Sequence, residues 1–348
     1  MQKQNLILIY IISLLSFSCK NVKNELLFNK DFDEVSTVAK VQNLPFCIVL
    51  VNSSSDLSKG YVDNLQKEYK ALQEKAIYNV VDIVQPGNRW YLKWLLPVSL
   101  PLTCVFSPNG TLIDIIPGTS KETFLYSDEV MEKQKISDFH WVNQFNMDKN
   151  KVIPLLNSLL LKKNNITKNI NSSDKINDAV DSLNYPYSAY LRLKTALKAN
   201  DTLASKKNAK LLLELENPGD FETYKQEFIE AKKTLDANFD IKTEANIRVE
   251  NANINIENSR VTKSTPINIK IYNDGKKTLR IRKINMSCSC LNLVGPDSNI
   301  VVEGMKSHVA KFYFTPETPG IISRDIFINS NAINNSILYI NLKANVKK

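Results

Sequence analysis

The apolar residues of this chain change their spacing twice, and that change limits the layers it can form. Up to about residue 145, short continuous apolar runs alternate with stretches of helical period. From 146 to 238 the helical period stands alone. From 241 to 348 apolar and polar residues alternate with period two, as in Ile247-Arg248-Val249-Glu250 and Ile267-Asn268-Ile269-Lys270-Ile271. A length of 348 residues suits two or three domains. With 43% apolar and 23% charged residues, each can bury a core. The predicted fold class is multidomain: an α/β region over 28–145, helical hairpins over 146–238 and a β-sandwich over 241–348.

Within the first region, Phe32, Val35, Val38, Ala39 and Val41 share a helix face. Phe46 to Val51 reads as a strand covered on both sides. Residues 56–75 read as a helix with Leu57, Tyr61, Leu65, Tyr69 and Leu72 at helical spacing, and Tyr78 to Val84 as a second strand. Leu102 to Phe106 and Leu112 to Ile116 form a hairpin across Ser107-Pro108-Asn109-Gly110. This β-α-β-α-β-β-α order resembles thioredoxin, and Ser99-Leu100-Pro101-Leu102-Thr103 resembles its cis-proline segment. The resemblance implies a thioredoxin-like domain with a cis bond before Pro101.

The departure from thioredoxin falls on its chemistry. Where the Cys-x-x-Cys would stand, the chain reads Asn52-Ser53-Ser54-Ser55-Asp56-Leu57-Ser58. Ser55 and Ser58 keep the spacing, but a hydroxyl cannot exchange disulfides. Ser54 or Ser55 reads as a helix cap. Cys47 and Cys104 lie at the starts of strands expected to be antiparallel neighbours, so the start of one faces the end of the other and their Cα atoms fall beyond the ~7 Å bridging limit. Both read as small buried hydrophobes. Trp90 and Trp94, at i and i+4, share a helix face beside Pro101 and offer either a binding surface or core packing; core packing is favoured.

In the second region, helices are expected around Val152–Leu160, over 174–183, from Tyr187 to Ala199, from Thr202 to Leu215 and from Asp220 to Asp236. The last begins at Pro218-Gly219-Asp220. The pairs resemble tetratricopeptide-type hairpins without a clean repeat, and a helical spacer is the expected role.

In the third region, Asn273-Asp274-Gly275 reads as a hairpin turn. That turn, Ser287-Cys288-Ser289-Cys290, Phe312-Tyr313-Phe314-Thr315-Pro316 and Ile328-Asn329-Ser330-Asn331 together resemble the bacterial Ig-like, hydin-related domain. The resemblance implies an Ig-like sandwich and little chemistry. The chain departs from the family at Ser289, usually glycine, and around Glu303-Gly304. In a strand, Met286, Cys288 and Cys290 would line one face. Such a thiol or metal site could hold Cu(I), or the cysteines could pair, or all three could be inward core; the core reading is favoured.

Charge is uneven. The chain is +9 overall, and 241–348 carries 16 Lys and Arg against 8 Asp and Glu, a net of +8. Lys276, Lys277, Arg280, Arg282 and Lys283 cluster on or beside one strand, offering a binding surface for anionic lipid, polysaccharide or acidic protein.

Several chemistries are excluded. With 9 glycines there is no phosphate loop, and the 2 histidines, His140 and His308, form no shared motif. A Ser-His-Asp triad is still possible, but no GxSxG elbow presents the serine. At the start, Lys3 and the apolar run Leu6–Leu15 read as a signal peptide over 1–18, too short for a membrane span. Leu15-Ser16-Phe17-Ser18-Cys19 resembles a lipobox, which implies cleavage before Cys19 and acylation of its sulfur, as by palmitate, with 19–27 as a linker.

The expected protein is therefore a lipid-anchored envelope lipoprotein of a Gram-negative outer membrane, facing the periplasm. It is expected to be non-enzymatic and to need no cofactor or metal. Its partners are the membrane, through Cys19, and another envelope protein or polysaccharide, not nucleic acid. The alternative is a thiol-disulfide or copper-handling protein using Cys288 and Cys290.

Overall fold

The computed structural model describes residues 26–168, 170, 180–181, 183–216 and 221–348. The signal peptide, Cys19, most of the helix expected over 174–183 and Pro218-Gly219-Asp220 lie outside the described residues. The chain divides into two compact units at Leu161/Lys162.

The first unit is built on one five-stranded sheet. In chain order its strands are β1 (Leu27–Phe28), β2 (Phe46–Val51), β3 (Ile77–Asp82), β4 (Leu102–Phe106) and β5 (Leu112–Pro117), and they lie in the order β1-β3-β2-β4-β5. β1 and β2 run parallel to β3; β4 runs antiparallel to both β2 and β5. Every residue of β2 and β4 is buried, because helices cover both sheet faces. One face carries Cys47, Val49, Tyr78 and Val105 under Tyr61 and Leu65 of α2 (Asp56–Lys67) and Phe124 and Val130 of α5 (Lys121–Lys133). On the other face Phe46 stacks on Phe106 at 4.7 Å. Phe32 of α1 (Phe32–Gln42) meets Phe106 edge-on at 5.3 Å, and Trp94 of α4 (Trp90–Leu95) lies 6.3 Å from it.

The helix expected over 56–75 is two helices, α2 and the single turn α3 (Leu72–Lys75). Glu68 ends the first by bonding back to Asn64, and Gln73 closes the gap by donating to the Leu65 carbonyl at 2.9 Å.

The expected start of the helical region at 146 differs from the structure. Helix α6 (Lys149–Lys168) gives its first turns to the first unit. Asn157 both accepts from Leu112 N–H and donates to the Leu112 carbonyl, at 2.8 Å each, so its amide acts as a strand partner for the edge of β5. The Trp94 indole donates to the Leu156 carbonyl at 2.8 Å.

In the second unit, helices α7 (Pro186–Lys198), α8 (Thr202–Glu214) and α9 (Phe221–Leu235) precede the β-rich part. Asp201 caps α8 by accepting from Ala204 N–H, and Lys194 pairs with Glu230 at 2.7 Å. Two sheets follow. The smaller holds β6 (Ile247–Val249), β8 (Thr265–Asn273), β10 (Leu291–Val294) and β12 (Ser307–Phe314), ordered β10-β12-β8-β6. The larger holds β7 (Asn253–Arg260), β9 (Leu279–Met286), β11 (Ser298–Val302), β13 (Gly320–Ser330) and β14 (Ile337–Lys347), ordered β11-β9-β13-β14-β7. β8 and β12 alternate between more and less buried residues, strictly so over Pro266–Ile271 and Val309–Phe314, and the inward residues of both sheets make one core. This β-rich part fits an Ig-like sandwich.

Asn273-Asp274-Gly275 is not the hairpin turn the sequence suggests. β8 and β9 belong to different sheets, so the turn is a crossover. Asn273 is its hub. Its buried amide donates to the carbonyls of Lys277 and Val302 and accepts from the N–H groups of Gly275 and Asn246. Gly275 is required by close approach: a Cβ there would lie 1.7 Å from the Glu244 carbonyl oxygen.

Candidate functional site

Three places carry the residues singled out in the sequence. The first is the turn between β9 and β10. β9 ends at Met286, and residues 287–290 cross from the larger sheet to the smaller. Met286, Cys288 and Cys290 therefore do not line one strand face, and the cysteines are not the reduced core thiols expected. Cys288 and Cys290 are joined by a disulfide with Cα atoms 5.2 Å apart. An extended strand separates i and i+2 by nearly twice its rise of about 3.3 Å per residue. The turn shortens that span well into bonding range.

The turn is held without the bond. Ser287 N–H donates to the Asp325 carbonyl and Ser287 Oγ accepts from Asp325 N–H, at 2.9 and 2.8 Å. Thr315 N–H donates to the Cys290 carbonyl at 2.8 Å, and Leu291 N–H to that of Cys288 at 3.4 Å. Cys290 is buried, Cys288 is half-buried and Ser289 is exposed. The two serines among Ser287-Cys288-Ser289-Cys290 were the available signal, since Ser favours turns over strand interiors. With both sulfurs in a disulfide, no thiolate remains for Cu(I). Among the described residues no three of His, Cys, Asp and Glu gather into a metal site.

The second place is the basic strand. Lys276, Lys277, Arg280, Arg282 and Lys283 are all exposed. A bulge makes this dense. Ile281 and Lys283 face Ser330 and Asn329, which are adjacent on β13, so Arg282 is an extra residue on β9. Lys277 pairs with Glu244 and Lys283 with Asp297. Arg282 donates to the Ser330 carbonyl at 3.3 Å, and no carboxylate among the described residues pairs with Lys276, Arg280 or Arg282.

The third place is the end of β2. Ser55 stands at the N-cap of α2 but its side chain makes no capping bond, contrary to the sequence expectation. Ser58 instead is buried and accepts from Asn52 N–H at 3.1 Å. A cavity of about 310 Å³ opens here, lined by Phe28, Asn29, Val51, Ser53, Ser58 and Asp82 among others. Asp82 has its charge already engaged. Burial raises its pKa, but hydrogen bonds from Ser53 and Val84 outweigh that and hold it below the usual value.

The Leu100–Pro101 peptide is cis, and Pro101 is buried. Trp94 is fully buried in the core, which removes it from the binding surface proposed for the tryptophans. Trp90 is half-buried and stacks on Tyr91 at 3.9 Å.

Cys47 and Cys104 are free and buried. The register corrects the reason they do not pair. Cys104 sits mid-strand beside Ile48, and Cys47 beside Val105, so the two cysteines are one residue apart in register and face opposite sides of the sheet. Burial pushes the Cys47 thiol up to about 12, partly offset by a hydrogen bond with Tyr78. Burial pushes Cys104 well above its ordinary value.

Sequence reasoning missed the buried charge of the first unit. Asp114 of β5 is fully buried and pairs with Lys149 at 2.6 Å, while Ser137 donates to it through N–H and Oγ at 2.8 and 2.7 Å. The apolar run Leu112–Ile116 with one acid inside it was the only sequence signal.

These features define a multidomain protein of mixed helix and sheet with a β-sandwich at its C-terminal end. Residues 247–346 match the family model described as a protein of unknown function, DUF1573. No curated protein matches the chain. Among solved structures, it is similar to a protein of unknown function from Porphyromonas gingivalis, at 18% identity and a TM-score of 0.27 over 32% of this chain. The match spans half the length of that protein. It is also similar to the ASH/PapD-like domain of human CEP192, at 10% identity and a TM-score of 0.26, over 32% of this chain and 90% of that one. A third similarity is to spinach chloroplast thioredoxin F, at 14% identity and 0.27, over 32% and 89%. Among the described residues no helix is long and apolar enough to cross a membrane.

Proposed function

We propose that this protein is a non-enzymatic, lipid-anchored outer-membrane protein of the Gram-negative envelope, held by an acylated Cys19 and facing the periplasm. In this reading it binds and positions an anionic envelope component, a polysaccharide or an acidic protein. The first unit is a thioredoxin-like domain, supported by its strand order and the cis bond at Pro101. Serines occupy the positions where thiol chemistry would need cysteines, so it serves as a scaffold. The observation that carries the reading is the run of exposed cations on bulged β9, three of which have no carboxylate partner among the described residues. A folded protein leaves such charge uncompensated at little cost in water, and gains by it when an anion is the partner.

Retention on polygalacturonate beads tests the partner chemistry. Wild type should bind at low salt and elute as ionic strength rises, because counter-ions screen exposed charge. Arg280→Glu/Arg282→Glu should lose most of that retention while keeping its unfolding curve. Equal retention of the reversed protein would sink the reading. Cys19→Ala should move the protein from membrane to soluble fractions after a high-salt wash.

A further inference from the structure

The disulfide of the β9–β10 turn closes a loop of three residues, Cys288 to Cys290. A cross-link stabilises a fold chiefly by restricting the unfolded chain, and the effect shrinks with loop length. A three-residue loop therefore restricts the unfolded chain about half as much as a loop of 15 residues. The turn has its own supports, namely the two Ser287–Asp325 bonds and the Thr315 bond to the Cys290 carbonyl. The flanking strands have theirs, β9 between β11 and β13, and β10 against β12. The bond joins parts already held in place. It can open and close again with little movement of the backbone around it.

The two cysteines also differ in burial. Cys290 is only 9% exposed and packs in the sandwich core. Cys288 is half-buried, beside the exposed Ser289 at the tip of the turn. Cys288 also packs against that core but is the less buried of the two.

We propose that Cys288–Cys290 is a thiol-exchange site that accepts two electrons from an accessible dithiol of a protein or small molecule, with Cys288 as the sulfur attacked. The dithiol's first thiolate forms a bond to Cys288 Sγ. The Cys288–Cys290 bond breaks, and its electron pair leaves on Cys290 Sγ, which takes up a proton. The dithiol's second thiol then attacks its own sulfur in the mixed disulfide, expelling Cys288 as a thiolate that is protonated in turn. The partner leaves as a disulfide, and Cys288 and Cys290 remain as two thiols. The activity uses neither Cys19 nor the basic residues of β9, so it stands apart from the binding role proposed above.

The test uses the full chain purified in detergent, with dithiothreitol as the dithiol and Ellman's reagent as the disulfide probe. Brief dithiothreitol treatment of the native protein should free two thiols, located by peptide mass at 288 and 290, while the sandwich stays folded and unfolds in urea in a single transition. In single variants, Cys290→Ser leaves Cys288 to react and Cys288→Ser leaves Cys290. The mixed disulfide should form at least about 10-fold faster in Cys290→Ser, the difference in burial being the cause. Equal rates would overturn the assignment of Cys288. A bond that resists dithiothreitol until the sandwich unfolds would overturn exchange altogether. So would a Cys288→Ala/Cys290→Ala protein that fails to fold, because the bond would then be a staple.

Discussion

Cys47 and Cys104 lie on hydrogen-bonded neighbouring strands of the first unit and form no bond, whereas Cys288 and Cys290 lie in a turn of the sandwich and do. The difference is one of side-chain direction. In the first unit the ladder offsets the two cysteines by one residue, and the pleat sends them to opposite faces, each beneath helices. In the sandwich the chain leaves the larger sheet after Met286, and the turn brings two side chains together that an extended strand would hold apart. Neighbourhood in the backbone does not decide whether sulfurs meet; pleat and turn do. The same contrast separates inert thiols, buried and hard to ionise, from a pair with one less buried member.

The largest effect that sharpens this comparison is kinetic. On the native protein, Cys47 and Cys104 should react with a maleimide on the order of 10³-fold or more slowly than in urea, since reaction waits on opening of the sheet. Peptide mapping of labelled sites against time reads this directly. Fast native labelling of either cysteine would erase the distinction between the two regions.

Next in size is the charge buried in the first unit. Asp114→Ala leaves Lys149 and Ser137 facing an empty site, and removing one partner of a buried pair costs about 3–5 kcal/mol. All three tryptophans, Trp90, Trp94 and Trp141, belong to the first unit, so their fluorescence in urea reports that unit alone. The fluorescence midpoint should fall sharply in Asp114→Ala. A midpoint unchanged from wild type would show that Ser137 and Lys149 do not depend on the carboxylate.

Taken group by group, the smallest effect is that of alkaline pH. Burial opposes the ionisation of Cys47, Cys104, Tyr61 and Tyr78 in the folded first unit and so raises their pKa values. These acids stay protonated when folded but ionise when unfolded, the thiols from their ordinary value of 9.0 and the tyrosines from 10.0. Their contribution is thus fully present below pH 9 and declines as pH rises toward the folded values. Each such group lowers stability by about 1.4 kcal/mol per pH unit once its unfolded form is ionised. The fluorescence midpoint in urea should drop between pH 8.5 and 10.5, and Cys47→Ala should flatten that drop. A midpoint independent of pH over that range would contradict the burial of these thiols and phenols.

How much of this was legible depended on the kind of sheet. The alternation of Ile267-Asn268-Ile269-Lys270-Ile271 in β8 announced which of its residues face the sandwich core, and the Asn-Gly hairpin between β4 and β5 formed as its turn residues indicate. Where both faces are covered, as in β2 and β4, an unbroken apolar run carries no face information, and so Cys47 and Cys104 were assigned a wrong geometry. Asn273-Asp274-Gly275 looked like a hairpin because local turn chemistry is blind to which sheet the next strand joins.

The sequence by itself determined the change from mixed to helical to alternating structure, the serine run Ser53–Ser55, free of cysteine, after Val51, and the cationic excess of the last region. All three are properties of residue type and spacing, which short segments carry with them. Only the tertiary structure decided that Asp114 would be buried with Lys149, that Asn157 would pair with the edge of β5, and that Cys288 would meet Cys290. Those contacts depend on sheet order, register and the direction of a turn, which arise when distant strands pack, and no local pattern encodes them.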